Sequence, residues 1–238
     1  MSVWMRWLRQ PQGLWLRKAI FQVHLWVGIA LSLYILVICL SGSVLVYRNE
    51  LYARFAPTGD SIPAGFRATT WLLNLHDNLL AGRTGRRVNG LAAMLVLLLA
   101  ATGAVVWWPG MASWRRSLTV AFKRRQRFTW RLHSALGFWF FGFVVMWGIS
   151  GVYLAIPQPF SDAVEMLEPY DGVYRASERL LYWIGYSHFG RFERRLPGCG
   201  PACGATLKAV WALFAIVPVV LLVTGVLVWW NRVIRTRS

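Results

Sequence analysis

The sequence predicts an all-α integral membrane protein: four transmembrane helices, built as two tandem helix-pair repeats within a single membrane domain over residues 1–238. Three observations carry this. The composition is 57% hydrophobic and only 15% charged. Four long apolar stretches contain no Asp or Glu. The second half of the chain also repeats landmarks of the first.

The stretches cover residues 20–47, 88–108, 134–156 and 206–230. Each is long enough to cross roughly 30 Å of hydrocarbon, for which about 20 helical residues suffice. No short apolar core with a small-residue cleavage site precedes the first, so it reads as a retained signal anchor. The formal net charge of +17 would suggest nucleic-acid binding in a soluble chain. Here most of the basic residues flank the apolar runs, so membrane lipid and no nucleic acid is the expected partner. Of the 26 Lys and Arg, 14 fall in the N-terminal segment, the 109–133 loop and the tail, while all 9 acidic residues lie in the other loops. That asymmetry places both termini in the cytoplasm of a multi-pass inner-membrane protein.

The first and third stretches align without a gap. His24-Leu-Trp-Val-Gly28 matches His133-Ser-Ala-Leu-Gly137, and Leu40-Ser-Gly42 matches Ile149-Ser-Gly151, with 18 residues from His to the second Gly in both. In the second and fourth, Thr102-Gly103 through Trp107-Trp108 matches Thr224-Gly225 through Trp229-Trp230. The first repeat therefore runs over about 18–108 and the second over about 127–230, the pattern of duplicated helix pairs with sites at their interface. Eighteen residues make five turns and rise about 27 Å, which puts His24 and Gly42 on one face at opposite membrane ends, and likewise His133 and Gly151. A glycine there lets something bulky approach the helix.

All 4 histidines fall at corresponding places. His24 and His133 open the first and third stretches on the cytoplasmic side; His76 and His188 precede the second and fourth on the periplasmic side. Two neutral imidazoles on opposite faces of a porphyrin complete six-coordinate iron and leave no open position, an arrangement suited to electron transfer. Two pairs imply two b-type haems, with the four histidines as iron ligands and Gly42, Gly151, Gly103 and Gly225 lining the cofactors. His76 and His188 are expected on short interfacial helices, Trp71–His76 and Leu180–His188. Arg17, Lys18, Arg127 and Arg131 are candidate propionate donors near one pair, and Arg48, Arg86 and Arg87 near the other.

Each feature has a plainer interpretation. Juxtamembrane Arg serves topology, glycine packs membrane helices, and tryptophan forms interfacial belts, so Trp107, Trp108, Trp229 and Trp230 are read as anchors. A lone interfacial histidine is more often structural than a ligand, but four at repeated positions are not explained that way. Structural zinc wants four ligands together and catalytic zinc three, more than either membrane face offers. Cys39 lies within the first stretch. Cys199 and Cys203, in Pro-Gly-Cys-Gly-Pro-Ala-Cys-Gly, form either a local disulfide or two free thiols. No Cys-x-x-Cys-His motif for covalent haem attachment is present.

These motifs, Arg17-Lys-Ala-Ile-Phe-Gln-Val-His24 with Ser-Gly42, Leu75-His76, Leu132-His133 with Gly137, and His188-Phe-Gly190 followed by Thr224-Gly225, resemble the PepSY-associated transmembrane helix family. Inner-membrane ferrisiderophore reductases belong to it. The resemblance implies two haems held by the four histidines and electron delivery to ferric chelates in the periplasm. The loops here, about 40 and about 49 residues, are too short for the larger periplasmic PepSY domain of typical members. A compact conduit of this kind either reduces a periplasmic acceptor itself or serves a partner redox subunit. The alternative is a haem-bearing or non-redox anchor subunit of a larger membrane complex. A transporter would need acidic residues or broken helices at the bilayer midplane, and only Pro218 interrupts a stretch. No dinucleotide fingerprint is present, so the electron donor is expected to be quinol or a separate cytoplasmic reductase.

Overall fold

A computed structural model of the chain describes residues 2–9, 11–108, 125–170, 175–192 and 196–233. Among these the chain is helical, with no strand. In order the helices are α1 (Val3–Arg9), a 3-10 turn (Pro11–Gly13), α2 (Trp15–Ala30), α3 (Ser32–Leu45), α4 (Arg48–Arg54), α5 (Ala64–Asn78), α6 (Gly82–Trp107), α7 (Arg125–Trp139), α8 (Phe141–Ala155), α9 (Gln158–Leu167), α10 (Ala176–Phe189) and α11 (Pro201–Val233). Helix is what an apolar chain must form in lipid, where no water is available to satisfy backbone groups. Residues 109–124, which hold much of the basic loop, and the tail beyond Val233 lie outside the described residues, as does the side chain of Arg127.

Two helices, Gly82–Trp107 and Pro201–Asn231, are long and apolar enough to cross a membrane alone. The number rises to four if each of two bent pairs is one span. The bends correct the expectation of straight first and third helices: α2 and α3 meet at 60°, and α7 and α8 at 62°. Leu31 separates the first pair and Phe140 the second. No proline marks either break. Gly28 and Ser32 bracket the first and Gly137 and Gly142 the second, small residues of the kind at which helices bend. Some of the ladder persists, since Leu31 N–H bonds Val27 O at 2.9 Å and Phe140 N–H bonds Leu136 O at 2.9 Å. With the helix bent, His24 and Gly42 do not share a straight face, nor do His133 and Gly151.

The chain forms two compact units, each drawn from several segments. The first comprises Met1–Leu36, Leu95–Val145 and Val217–Ser238. In it α2 lies along the C-terminal part of α6, where the Arg17 guanidinium donates to Val106 O at 2.5 Å and so satisfies a carbonyl at the helix end. Trp107 stacks on Phe138 of α7 at 4.7 Å. The first part of α8 and the C-terminal part of α11 complete this unit.

The second unit comprises Val37–Met94 and Met146–Ile216. Helix α5 is held at both ends. Tyr52 of α4 packs on its Phe66 at 4.9 Å, and the Asn89 amide of α6 donates to the His76 and Asp77 carbonyls, both at 2.8 Å. Between α5 and α6 the chain turns through Leu79 and Leu80, both left-handed at φ 51° and 60°. That conformation costs a non-glycine residue about 1–2 kcal/mol, which the Asn89 clamp helps to sustain. The helical connection is thereby broken before Gly82, where α6 begins.

Helix α10 begins where Glu168 accepts from Ala176 N–H and Ser177 N–H at 3.1 and 3.0 Å, a carboxylate on a helix N-terminus. Cys199 and Cys203 are joined as a disulfide at the entrance to α11, which resolves the choice left open by the sequence.

Large apolar side chains such as Leu33, Leu91 and Leu213 point outward, 71%, 58% and 64% exposed. The buried positions are dominated instead by small or polar residues, among them Ser41, Ala92, Ala93, Thr102, Ala135, Ser150 and Thr224. Lipid offers Leu as good a surroundings as protein does, so close helix contacts fall to small residues.

Candidate functional site

Each unit brings one pair of histidines together. In the first, His24 on α2 and His133 on α7 stand with ring centroids 6.4 Å apart and planes 80° apart. In the second, His76 on α5 and His188 on α10 stand 6.2 Å apart with planes at 62°. These are the two pairs expected from the sequence, and α5 and α10 are the short helices expected to carry the second.

The ring nitrogens are held in one pattern. His24 Nδ1 lies 3.1 Å from Thr102 Oγ1 and 3.1 Å from Leu99 O. His133 Nδ1 lies 3.0 Å from Thr224 Oγ1 and 2.9 Å from Leu221 O. His76 Nδ1 lies 3.0 Å from Ser41 Oγ and 3.1 Å from Ile38 O. His188 Nδ1 lies 2.9 Å from Ser150 Oγ. A carbonyl can only accept, so Nδ1 of the first three carries the proton and the Nε2 lone pair is left free for a metal.

The glycines serve the same geometry, though not in the expected way. A Cβ on Gly42 would sit 2.9 Å from His76 Cε1, one on Gly103 3.1 Å from His24 Cε1, and one on Gly225 3.2 Å from His133 Cε1. At these three positions the group that approaches the helix is an imidazole from the same repeat. Gly151 faces the Ala93 side chain at 3.3 Å instead.

Ser41, Thr102, Ser150 and Thr224 did not figure among the sequence candidates. With Asn89 they account for five of the six buried polar residues among those described, Thr69 being the sixth. Buried polar groups in lipid are costly and concentrate at function. A signal was available: each apolar stretch contains one Ser-Gly or Thr-Gly pair, and in three of the four the glycine admits a ring.

Burial pushes the His188 imidazole down to about 3, with the neighbouring His76 acting in the same direction. His76 is also lowered by burial, against the opposing effects of Ile38 O and Asp77. Both rings are neutral at pH 7, the form that ligates metals.

The donor set fits a haem. With a metal–imidazole bond of about 2.0 Å and a ring nitrogen about 1.1 Å from its centroid, two imidazoles on opposite sides of one iron have centroids about 6.2 Å apart. Both observed separations match. Among the described residues no three of His, Cys, Asp and Glu gather as a metal ion would need. The cation candidates are partly engaged elsewhere: Arg86 pairs with Asp77 at 2.5 Å, while Arg48 lies over the Phe189 ring, beside His188, at 5.0 Å. In the first unit, Arg17 Nε and the indole N–H groups of Trp107 and Trp108 are buried without a hydrogen-bond partner among the described residues. Three such donors near the end of α6 suit an anionic carboxylate.

The chain is thus an all-helical membrane protein whose four histidines meet as two pairs, one in each unit. The PepSY-associated TM region model matches residues 54–173 and again 165–232, and the chain belongs to that family. No curated protein and no solved structure matches it.

Proposed function

We propose that this protein moves electrons across the bacterial inner membrane through two b-type haems, one held by His24 and His133 and the other by His76 and His188. The observation that carries the proposal is the pair of centroid separations, 6.4 and 6.2 Å, combined with Nδ1 atoms turned away onto hydroxyls and carbonyls. A haem bound between two imidazoles supplies one-electron oxidation and reduction with no site for a substrate at iron.

The residues' part is to hold and insulate. The histidines ligate, the four hydroxyls with Gly42, Gly103 and Gly225 seat the rings, and Arg17, Trp107 and Trp108 donate to propionates in the first unit. Four crossings as two tandem helix pairs, with both termini cytoplasmic, follow from the repeated motifs and the distribution of Lys and Arg. The His24 and His133 centre then faces the cytoplasmic side, where quinol or a separate reductase supplies electrons. The His76 and His188 centre faces the periplasm, where a ferric chelate or a partner redox subunit accepts them.

A pyridine haemochrome assay on the purified protein tests this. It should give about two b-type haems per chain, falling to about one in His133→Ala and about one in His188→Ala. A colourless, iron-free preparation rejects the proposal and favours a non-redox anchor subunit.

A further inference from the structure

Each hydroxyl beside a histidine has already committed its proton. Ser41 Oγ donates to Val37 O, Thr102 Oγ1 to Leu98 O, Ser150 Oγ to Met146 O and Thr224 Oγ1 to Val220 O, all at 2.7 Å. A hydroxyl has one proton and two lone pairs, so toward the imidazole each acts as an acceptor. The bond therefore runs from Nδ1–H to Oγ at all four sites. Second-shell acceptors of this kind fix the tautomer and raise the basicity of the metal-bound nitrogen.

The four sites are not equivalent. His24, His133 and His76 share Nδ1–H between a hydroxyl and a backbone carbonyl, whereas His188 has Ser150 Oγ alone among the described residues. Ser150 is completely buried, at 0% exposure. The His24 and His133 centre thus has four acceptors behind its two rings and the His76 and His188 centre has three.

We infer that the four hydroxyls are positioning residues that tune the two haems, and that Ser150, as the sole acceptor behind His188, has the largest influence of the four. Resting on the dihaem reading, this deepens it: electron density pushed through Nδ1–H stabilises ferric iron, so the centre with fewer acceptors has the higher reduction potential. Electrons then fall from the His24 and His133 centre to the His76 and His188 centre. The difference between the centres is built into backbone geometry rather than ligand identity.

Redox titration of the full-length protein, followed by haem absorption, tests the inference. Two one-electron components are expected. Ser150→Ala should raise the higher one by about tenfold in its equilibrium constant, which for one electron is about 59 mV, and leave the lower one in place. Thr224→Val should raise the lower component by much less, because Leu221 O remains as acceptor for His133. Ser150→Thr keeps the hydroxyl and should restore the native titration. Should Ser150→Ala shed its haem, Ser150→Cys, whose thiol is a weaker acceptor, reads the same upward shift. Native potentials in Ser150→Ala, or a shift no larger than that of Thr224→Val, overturn the inference while leaving the haems themselves intact. Absence of haem from the native protein would instead reject the reading beneath it.

Discussion

Gly42→Ala is the sharpest probe of how the rings are seated. Ordinarily the change favours a helix by about 1 kcal/mol, because glycine is the more flexible residue. At this position the added methyl would lie 2.9 Å from His76 Cε1 and 3.5 Å from its Nδ1. The ring cannot easily retreat, since its Nδ1 is tied to Ser41 Oγ and Ile38 O on the same helix as the glycine. Overpacking of this kind costs about 1–3 kcal/mol. Setting the helix gain against it leaves a net cost up to about 2 kcal/mol, or about thirtyfold in the population of correctly seated rings. Gly28→Ala and Gly137→Ala are matched controls, because their nearest neighbours are the Leu99 and Leu221 side chains at 3.7 and 3.9 Å, ordinary contact. Thermal stability followed by size exclusion in detergent, with haem content measured in parallel, should show Gly42→Ala losing stability and haem from one centre. Both controls should match or exceed the native protein. Equal behaviour of all three variants would refute the seating argument.

Other outcomes follow from the same contacts. Asn89→Leu leaves the His76 and Asp77 carbonyls without their clamp and should cost about 1–3 kcal/mol, read as earlier thermal unfolding and looser retention of the His76 haem. Reducing the Cys199–Cys203 disulfide, which closes a loop over a separation of only 4 residues, should cost no more than about 2 kcal/mol and leave haem content unchanged; loss of haem on reduction would show a larger role. The Glu50 carboxyl is held below its ordinary value chiefly by its hydrogen bond from Lys208. A depressed carboxyl stabilises the fold above its ordinary range and loses that contribution as pH falls through its depressed value. Glu50 is 48% exposed, so Lys208→Met should cost well under 1 kcal/mol at pH 7, with the difference in melting temperature vanishing in acid.

The histidines were legible because there are only four and they recur at matching positions, so the repeat did what a single motif could not. The helices were legible because lipid leaves an apolar chain little alternative. The breaks at Leu31 and Phe140 were not, because neither carries a proline and a glycine three residues earlier is common in membrane helices. Gly42 was expected to let something bulky approach its helix, and the bulky group beside it in the structure is the His76 ring, because the chain returns through α5 within one repeat. The hydroxyls at Ser41, Thr102, Ser150 and Thr224 stood in plain sight beside the glycines. Their purpose shows only when a ring from another helix is placed against them.

Proteoliposomes give the most direct test of electron movement across the membrane. Vesicles holding the native protein are loaded with ferricyanide, which does not cross lipid, and impermeant dithionite is added outside. The trapped ferricyanide should bleach with the native protein, and bleaching should fall to the protein-free rate in both His24→Ala and His188→Ala. Bleaching at the native rate in either variant, or none with a native protein that carries two haems, would contradict electron passage through the two haems.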